Sequence, residues 1–258
     1  MTLHYPIISP IYDAMNADQE DDIPFYLQIL AEVGGPFLDV GCGTGRILFP
    51  VLAQGSVAHG IDREEEMLKV VTERSRALDS QEVSQLRLIQ GDALHHAFTE
   101  SYGLIALSYN FLMHVLQSED QIQLFNNLRT ASSSHTHLII DLPHPEEMFN
   151  RLETNALMHE RDIIHPASGR LIQIYSYSEV NVSNQIMVVT WWLDEISATG
   201  TVTRTVTKQR LRFYTKAELS LILQLSGWRE LAAYGDYDRS PFEDGSERMI
   251  LVAGLNSE

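Results

Sequence analysis

Short apolar runs alternate with longer amphipathic stretches over residues 23–140. Residues 23–33 have helical periodicity and stop at Gly34-Gly35-Pro36, residues that end helices. Phe37-Leu38-Asp39-Val40 then reads as a buried strand. Residues 46–53 are apolar and of helix length, and Pro50 is expected to distort the first turns. Residues 57–61 predict a second strand. Glu64-Glu65-Glu66 opens the next helix, where carboxylates suit the positive end of the dipole. Residues 86–89, 104–107 and 138–140 predict the third, fourth and fifth strands. Between the last two, Ser118-Glu119-Asp120-Gln121 has the form of a capping box and predicts a helix start. Strands alternating with helices imply an α/β chain with a parallel sheet covered on both faces.

The pattern changes after Pro145. Residues 171–180, 185–194 and 201–213 alternate in strand fashion, with turn-like breaks and no helix between them, so they predict an antiparallel meander. Thr215-Lys216-Ala217-Glu218 is a second capping-box pattern, and Gly227 suits the end of that helix. Residues 228–234 and 248–253 predict the last two strands. The expected organisation is an N-terminal helical lid segment over 1–34, a ligand-binding core over 35–150, an antiparallel cover over 151–213 and a core-completing segment over 214–258.

Lys and Arg number 18 against 35 Asp and Glu, giving a net charge of −17. Such a chain lacks the basic footprint of a nucleic-acid binder. The single cysteine, Cys42, cannot form an intrachain disulfide or a Cys-rich zinc site, and no HExxH or Cys/His cluster points to a metal. No signal peptide is read at Met1-Thr2-Leu3-His4-Tyr5-Pro6, and no apolar run approaches the roughly 20 residues of a membrane helix. The expectation is a cytoplasmic protein, a monomer or homodimer, with no nucleic-acid or membrane partner.

The strongest local signal is Asp39-Val40-Gly41-Cys42-Gly43-Thr44-Gly45, which follows a strand and opens a helix. The glycines let the backbone turn tightly and approach a ligand. Their alternate spacing, with Arg46 where the dinucleotide fingerprint has its third glycine, differs from G-x-G-x-x-G. The string Leu38 to Arg46 closely resembles the first motif of S-adenosylmethionine-dependent methyltransferases with the Rossmann-like fold. Asp62 stands 23 residues past Asp39 (62 − 39), at the end of the second strand. It occupies the place of the family's ribose-binding acid. Met67 matches the apolar residue on the adenine, and Gly91-Asp92-Ala93 matches the acid that meets the adenine amine. The small-molecule branch is resembled more closely still, through Ile11-Tyr12-Asp13, Asp22-Ile23-Pro24-Phe25-Tyr26, residues 111–120, Leu211-Arg212-Phe213-Tyr214-Thr215 and Tyr234-Gly235-Asp236-Tyr237-Asp238. Ser132-Ser133-Ser134-His135-Thr136 replaces that family's Pro-Gly-Gly turn and is expected at a surface turn. The amine motif of DNA methyltransferases is missing, because the fourth strand runs into Ser108-Tyr109-Asn110-Phe111.

The resemblance implies a doubly wound, seven-stranded, mostly parallel Rossmann-like sheet with an antiparallel β insertion, or lid, after the fifth strand. It implies S-adenosyl-L-methionine as cofactor, held by Tyr12, Asp39, Gly41, Cys42, Gly43, Arg46, Asp62, Arg63, Met67, Asp92, Ala93 and Ser108. Gly45 completes the loop. The implied reaction is methyl transfer to nitrogen or oxygen of a small acceptor. A non-catalytic cofactor-binding protein is the alternative, with a nucleic-acid methyltransferase behind it. His114 is the candidate base, weighed against a helix-cap or packing role. Tyr109, Asn110, Arg212 and Tyr214 are the candidate substrate contacts. A surface position competes for Arg46 and Arg212, and His144 reads as a solvated loop residue. Trp191 and Trp192, adjacent on a strand, face opposite ways. The acidic residues 18–22 read as a solvated segment that could order over the cofactor.

Overall fold

The computed structural model describes residues 5–146 and 156–256. The N-terminal tetrapeptide and the expected boundary at 150/151 lie outside them. The chain divides into two compact units, residues 20–145 with 214–258, and residues 1–19 with 146–213. The expected segment 1–34 is therefore shared between them.

The larger unit holds α3 (Ile23–Val33), β1 (Phe37–Val40), α4 (Leu48–Ala53), β2 (Ala58–Asp62), α5 (Glu65–Arg74), α6 (Ser80–Gln85), β3 (Leu86–Gln90), β4 (Tyr102–Leu107), α7 (Ser118–Thr130), β5 (Ser132–Pro143), α8 (Lys216–Leu225), β10 (Trp228–Tyr234) and β11 (Arg248–Leu255). Its sheet has seven strands in the order β10-β11-β5-β4-β1-β2-β3. All neighbouring pairs are parallel except those made by β11. The central strands are apolar on both faces because helices cover both, and Phe37, Leu38, Val40 and residues 104–107 are fully buried. Trp228 is fully buried too, its indole Nε1–H donating to the Phe125 carbonyl at 3.1 Å.

Several boundaries differ from expectation for local reasons. The chain turns through residues 42–47 before α4 begins at Leu48. Pro50 then falls in the first helical turn, where its missing N–H has no partner to lose. The Ser118 capping box does not form. Gln117 is the cap residue without a side-chain bond, and Gln121 is fully buried, donating to the Val115 carbonyl at 2.9 Å. A complete box appears instead at Asp79 and Glu82, ahead of α6. The stretch 132–136 is not a surface turn. It belongs to β5, where Thr136 Oγ1 donates to the Tyr102 carbonyl at 2.6 Å.

The smaller unit holds α1 (Tyr5–Ile8), α2 (Tyr12–Met15), β6 (Met158–Ile164), β7 (Leu171–Asn181), β8 (Ile186–Ile196) and β9 (Val202–Arg212). Its strands form a four-stranded antiparallel sheet in sequence order. The expected meander thus gains β6, whose mixed Met-His-Glu-Arg-Asp start hides its alternation. Ile8 and Ile11 pack with Ile163, Ile172, Ile174 and Leu193 in this unit's own core.

Thr215 caps α8 by accepting the Glu218 N–H at 3.3 Å. Replacing it with alanine removes that bond. Thr215→Ala is expected to cost about 1 kcal/mol and to lower the Tm by roughly 2–4 °C for a chain of this size, read by thermal unfolding.

Candidate functional site

Neighbours β1 and β4 are separated in sequence by two strand–helix units. The chain therefore leaves them toward opposite edges of the sheet. The crevice outside the C-terminal ends of such a pair is where open parallel sheets take ligands. Gly41, Gly43 and Gly45 follow β1 with φ of 74°, 54° and 81°, a left-handed region that favours glycine. At Gly41 a Cβ would also overlap the ring of Phe111.

Asp62, at the end of β2, is anchored by this loop. Gly43 N–H donates to its Oδ2 and Glu64 N–H to its Oδ1, each at 2.9 Å. Burial pushes its carboxyl up, and the two amide bonds oppose the shift. An ionised carboxylate has about four acceptor sites, so two remain for a pair of hydroxyls. Met67 and Ala93 are buried apolar residues on the same side of the sheet order. Asp92 is exposed, with Oδ1 accepting the Leu94 N–H at 2.9 Å. A glycine cradle, a hydroxyl-accepting acid and apolar neighbours form a donor set that fits an adenosine. Arg63 is half exposed and bonds Glu64 at 3.2 Å. Cys42 is buried, and burial beside Asp39 and Asp62 pushes its thiol up, so it is no nucleophile.

Asp39 is buried and accepts the Ser108 hydroxyl at 2.7 Å, tying the end of β4 to β1. Burial pushes its carboxyl up to about 7, against the lowering effects of Ser108 and Arg46. A cation brought beside Asp39 favours its ionised form.

Arg46 forms a two-pronged ion pair with Asp22, at 2.5 and 2.6 Å. Asp22 is buried, unlike the solvated residue expected there. Arg46 also stands 5.4 Å from the Tyr109 ring centre, and Arg248 stands 5.9 Å from it. Tyr109 and Asn110 have φ of 40° and 69°, a conformation that costs non-glycine residues energy and clusters at functional sites. Asp141 holds this turn. Fully buried in β5, it accepts from Tyr26 Oη at 2.9 Å, Tyr237 Oη at 3.0 Å and Arg248 Nε at 3.0 Å, and its backbone carbonyl accepts the Asn110 N–H. Arg248 Nη2 bonds both Asp141 and the Asn110 side chain, the latter at 3.0 Å. Burial and this carboxylate push both tyrosine hydroxyls far up.

His114 ends the single 3-10 turn 111–114 after β4. Burial, with the charge of Arg63, pushes its imidazole down to about 4. Tyr214 is buried and is not a free substrate contact. Its hydroxyl lies 3.0 Å from the Leu112 carbonyl and 2.9 Å from that of Val115, bracing the His114 turn. His144 is buried rather than solvated, its ring 5.1 Å from that of Phe242. Tyr12 and Arg212 lie in the smaller unit, on α2 and at the end of β9. There Trp191 packs against the apolar cluster while Trp192 stacks under Arg204. Asp141 and Arg248 were not expected at the site, while Asp22, Tyr26 and Tyr237 lay in stretches that carried the resemblance without an assigned role. The local signal for Asp141 was an acid inside Ile139-Ile140-Asp141-Leu142. Its side-chain partners lie 96 to 115 residues away. Among the described residues no His, Cys, Asp and Glu group could hold a metal ion.

Two measurements bear on this geometry. In calorimetric titration with S-adenosylmethionine, Asp62→Ala is expected to lose binding by at least tenfold while remaining folded. Asp39→Asn reads the buried acid. A folded-state carboxyl raised to about 7 holds a proton that the unfolded chain releases near its ordinary 3.8, so native stability falls as pH rises between those values. The variant is therefore expected to gain Tm over the wild type progressively from pH 4 to pH 7, and to bind the sulfonium cofactor more weakly.

Residues 37–133 match the methyltransferase domain family. The chain is 21% identical over 219 residues to the cypemycin N-terminal methyltransferase of a Streptomyces species, covering 85% of this chain and 82% of that one. In fold it is similar to an S-adenosylmethionine-dependent methyltransferase of Clostridium acetobutylicum ATCC 824 (TM-score 0.79, 16% identity, 98% and 99% of the two chains). It is also similar to the sugar N-methyltransferase KedS8 of Streptoalloteichus sp ATCC 53650 (TM-score 0.76, 15% identity, 100% and 94%). Residues 37–133 thus match a methyltransferase domain, and the chain has the Rossmann-like fold of the S-adenosylmethionine-dependent methyltransferases to which it is similar.

Proposed function

We propose that the enzyme methylates an amine nitrogen of a small acceptor. The observation that supports nitrogen over oxygen is the state of His114. An imidazole held down at about 4 is neutral at physiological pH and a weak base. The cofactor supplies an electrophilic methyl on a good leaving group, so the protein's task is alignment and exclusion of water. An amine that arrives neutral needs no strong base. It needs an acceptor for one N–H bond, which turns its lone pair toward the methyl, and neutral His114 suits that role. An alcohol would ask for a base that can take its proton early, which His114 does not provide. Tyr109 and Asn110, fixed by Asp141 and Arg248, are assigned to the acceptor's side of the site, and Arg46 with Asp22 to the cofactor's charged tail. The named specificities of two similar proteins, an N-terminal amine and a sugar nitrogen, support the same reading. A reducing cytoplasm suits the buried thiol of Cys42. Among the described residues no helix is long and apolar enough to cross a membrane.

The test pairs amine with alcohol acceptors, D-glucosamine and Ala-Ala-Ala against D-glucose. At saturating S-adenosylmethionine, kcat/KM is expected to rise as the acceptor ammonium loses its proton, with no inflection from His114 between pH 5.5 and 8. His114→Gln should lower kcat/KM roughly 10- to 100-fold without moving that profile. An inflection near 6.5 that vanishes in the variant, or faster transfer to the alcohol, would sink the reading. The sign for stability is opposite to that of Asp39. A histidine depressed in the fold binds its proton more readily when unfolded, so its contribution is lost as pH falls from 6.5 toward 4.

A further inference from the structure

The four-stranded sheet has two unlike faces. Successive residues on a strand point opposite ways, and residues directly opposite on paired strands share a face. Ile163, Ile172, Ile174 and Leu193 turn one way, into the unit's apolar core with Ile8 and Ile11. The register puts Ile164, Leu171, Ile196 and Val202 on the other face, in one row that crosses all four strands. Tyr175, Trp192 and Val206 form a second row there. Ile164 is 59%, Val202 52% and Val206 48% exposed. A sheet face that meets only water carries polar residues at such positions. Single exposed apolar side chains are ordinary, but contiguous rows of them mark a surface that another body covers.

Charge and area say which body. The chain carries a net charge of −17, so two copies repel wherever acidic surfaces meet. This face differs. β9 is basic on it through Arg204, Lys208 and Arg210, while β6 and β7 on the far side bear Asp162 and Glu179. Asp194, between them, is paired with Arg204 at 2.6 Å. The face is therefore close to neutral, with its two signs on opposite edges, a pattern that a second copy of the same face can complement. β7, β8 and β9 have 11 residues each and β6 has 7. At about 3.3 Å per residue and about 4.8 Å between strands, they cover roughly 600 Å² before side-chain relief is counted. Two such faces bury about 1,300 Å² in all, inside the range of about 1,200–2,000 Å² for a stable interface.

We propose that this face packs against the same face of a second copy, making a homodimer about a two-fold axis parallel to the strands. The contact is isologous, as in most homodimers, and the geometry is that of two aligned sheets about 10 Å apart. This axis lays basic β9 of one copy across β6 of the other. It brings Arg204 level with Asp162, which share a row. An axis across the strands would instead lay β9 on β9, and the repulsion of like charges disfavours that arrangement.

Sedimentation velocity on the wild-type chain, at concentrations up to about 100 µM, is the first test. The expected species has twice the mass of one chain. Val202→Asp and Val206→Asp place a charge on the apolar rows at exposed positions. Each is expected to give a monomer with an unchanged far-UV circular dichroism spectrum. Leu225→Asp, at a 73% exposed leucine on α8, is expected to leave the dimer intact. A wild-type monomer at the highest concentration would overturn the proposal and leave the face to a partner of another kind. So would a dimer that survives both valine variants. Charge exchange reads the axis. Asp162→Arg and Arg204→Asp should each weaken dimerisation at least about tenfold, and the two together should restore it to within about threefold of wild type. Failure of the double variant to recover would overturn the placement of β9 across β6.

Discussion

A carboxylate buried in the middle of a sheet must be paired, and the larger unit is organised around one. Asp141 sits in β5 with no exposure and gathers Tyr26 from α3, Tyr237 from the segment after β10, Arg248 from β11 and the turn after β4. Removing one member of such a cluster leaves a charge or hydroxyl buried and unpaired, which costs several times what the bond itself contributes. The network therefore acts less as a source of stability than as a demand that five segments arrive in one arrangement. One consequence is the left-handed pair Tyr109 and Asn110. These residues keep an unfavourable backbone because Asp141 and Arg248 hold them from two sides.

The cofactor side of the site follows from a different constraint. The glycine loop brings the Gly43 N–H to the end of β2, and Asp62 is oriented by that donor and by the Glu64 N–H. Below it, Asp39 is buried at the cost of a carboxyl raised to about 7. A cation brought beside that carboxyl and its ionisation favour each other. His114 is the complementary case, a group held neutral where charge would be expected. Both shifts come from burial, and both leave the site less charged when empty than its residue types suggest.

Much of this was legible in the chain. The loop Asp39 to Gly45, Asp62 and the strand–helix alternation are local patterns, set by which residues tolerate a left-handed turn and which periodicity buries an apolar face. They determined the fold class and, through the resemblance they carry, the cofactor. Capping residues were only partly legible, because Ser118 and Asp79 offer the same chemistry and neighbouring packing decides which is used. β6 was missed because its charged start hides the alternation. Tertiary structure alone decided that Asp22 is a buried partner of Arg46, that Tyr214 braces a backbone turn, and that Asp141 is the hub. Each of those roles depends on a partner tens of residues away, and side-chain pairing at that range is set by how strands order in the sheet, which no local window of sequence contains.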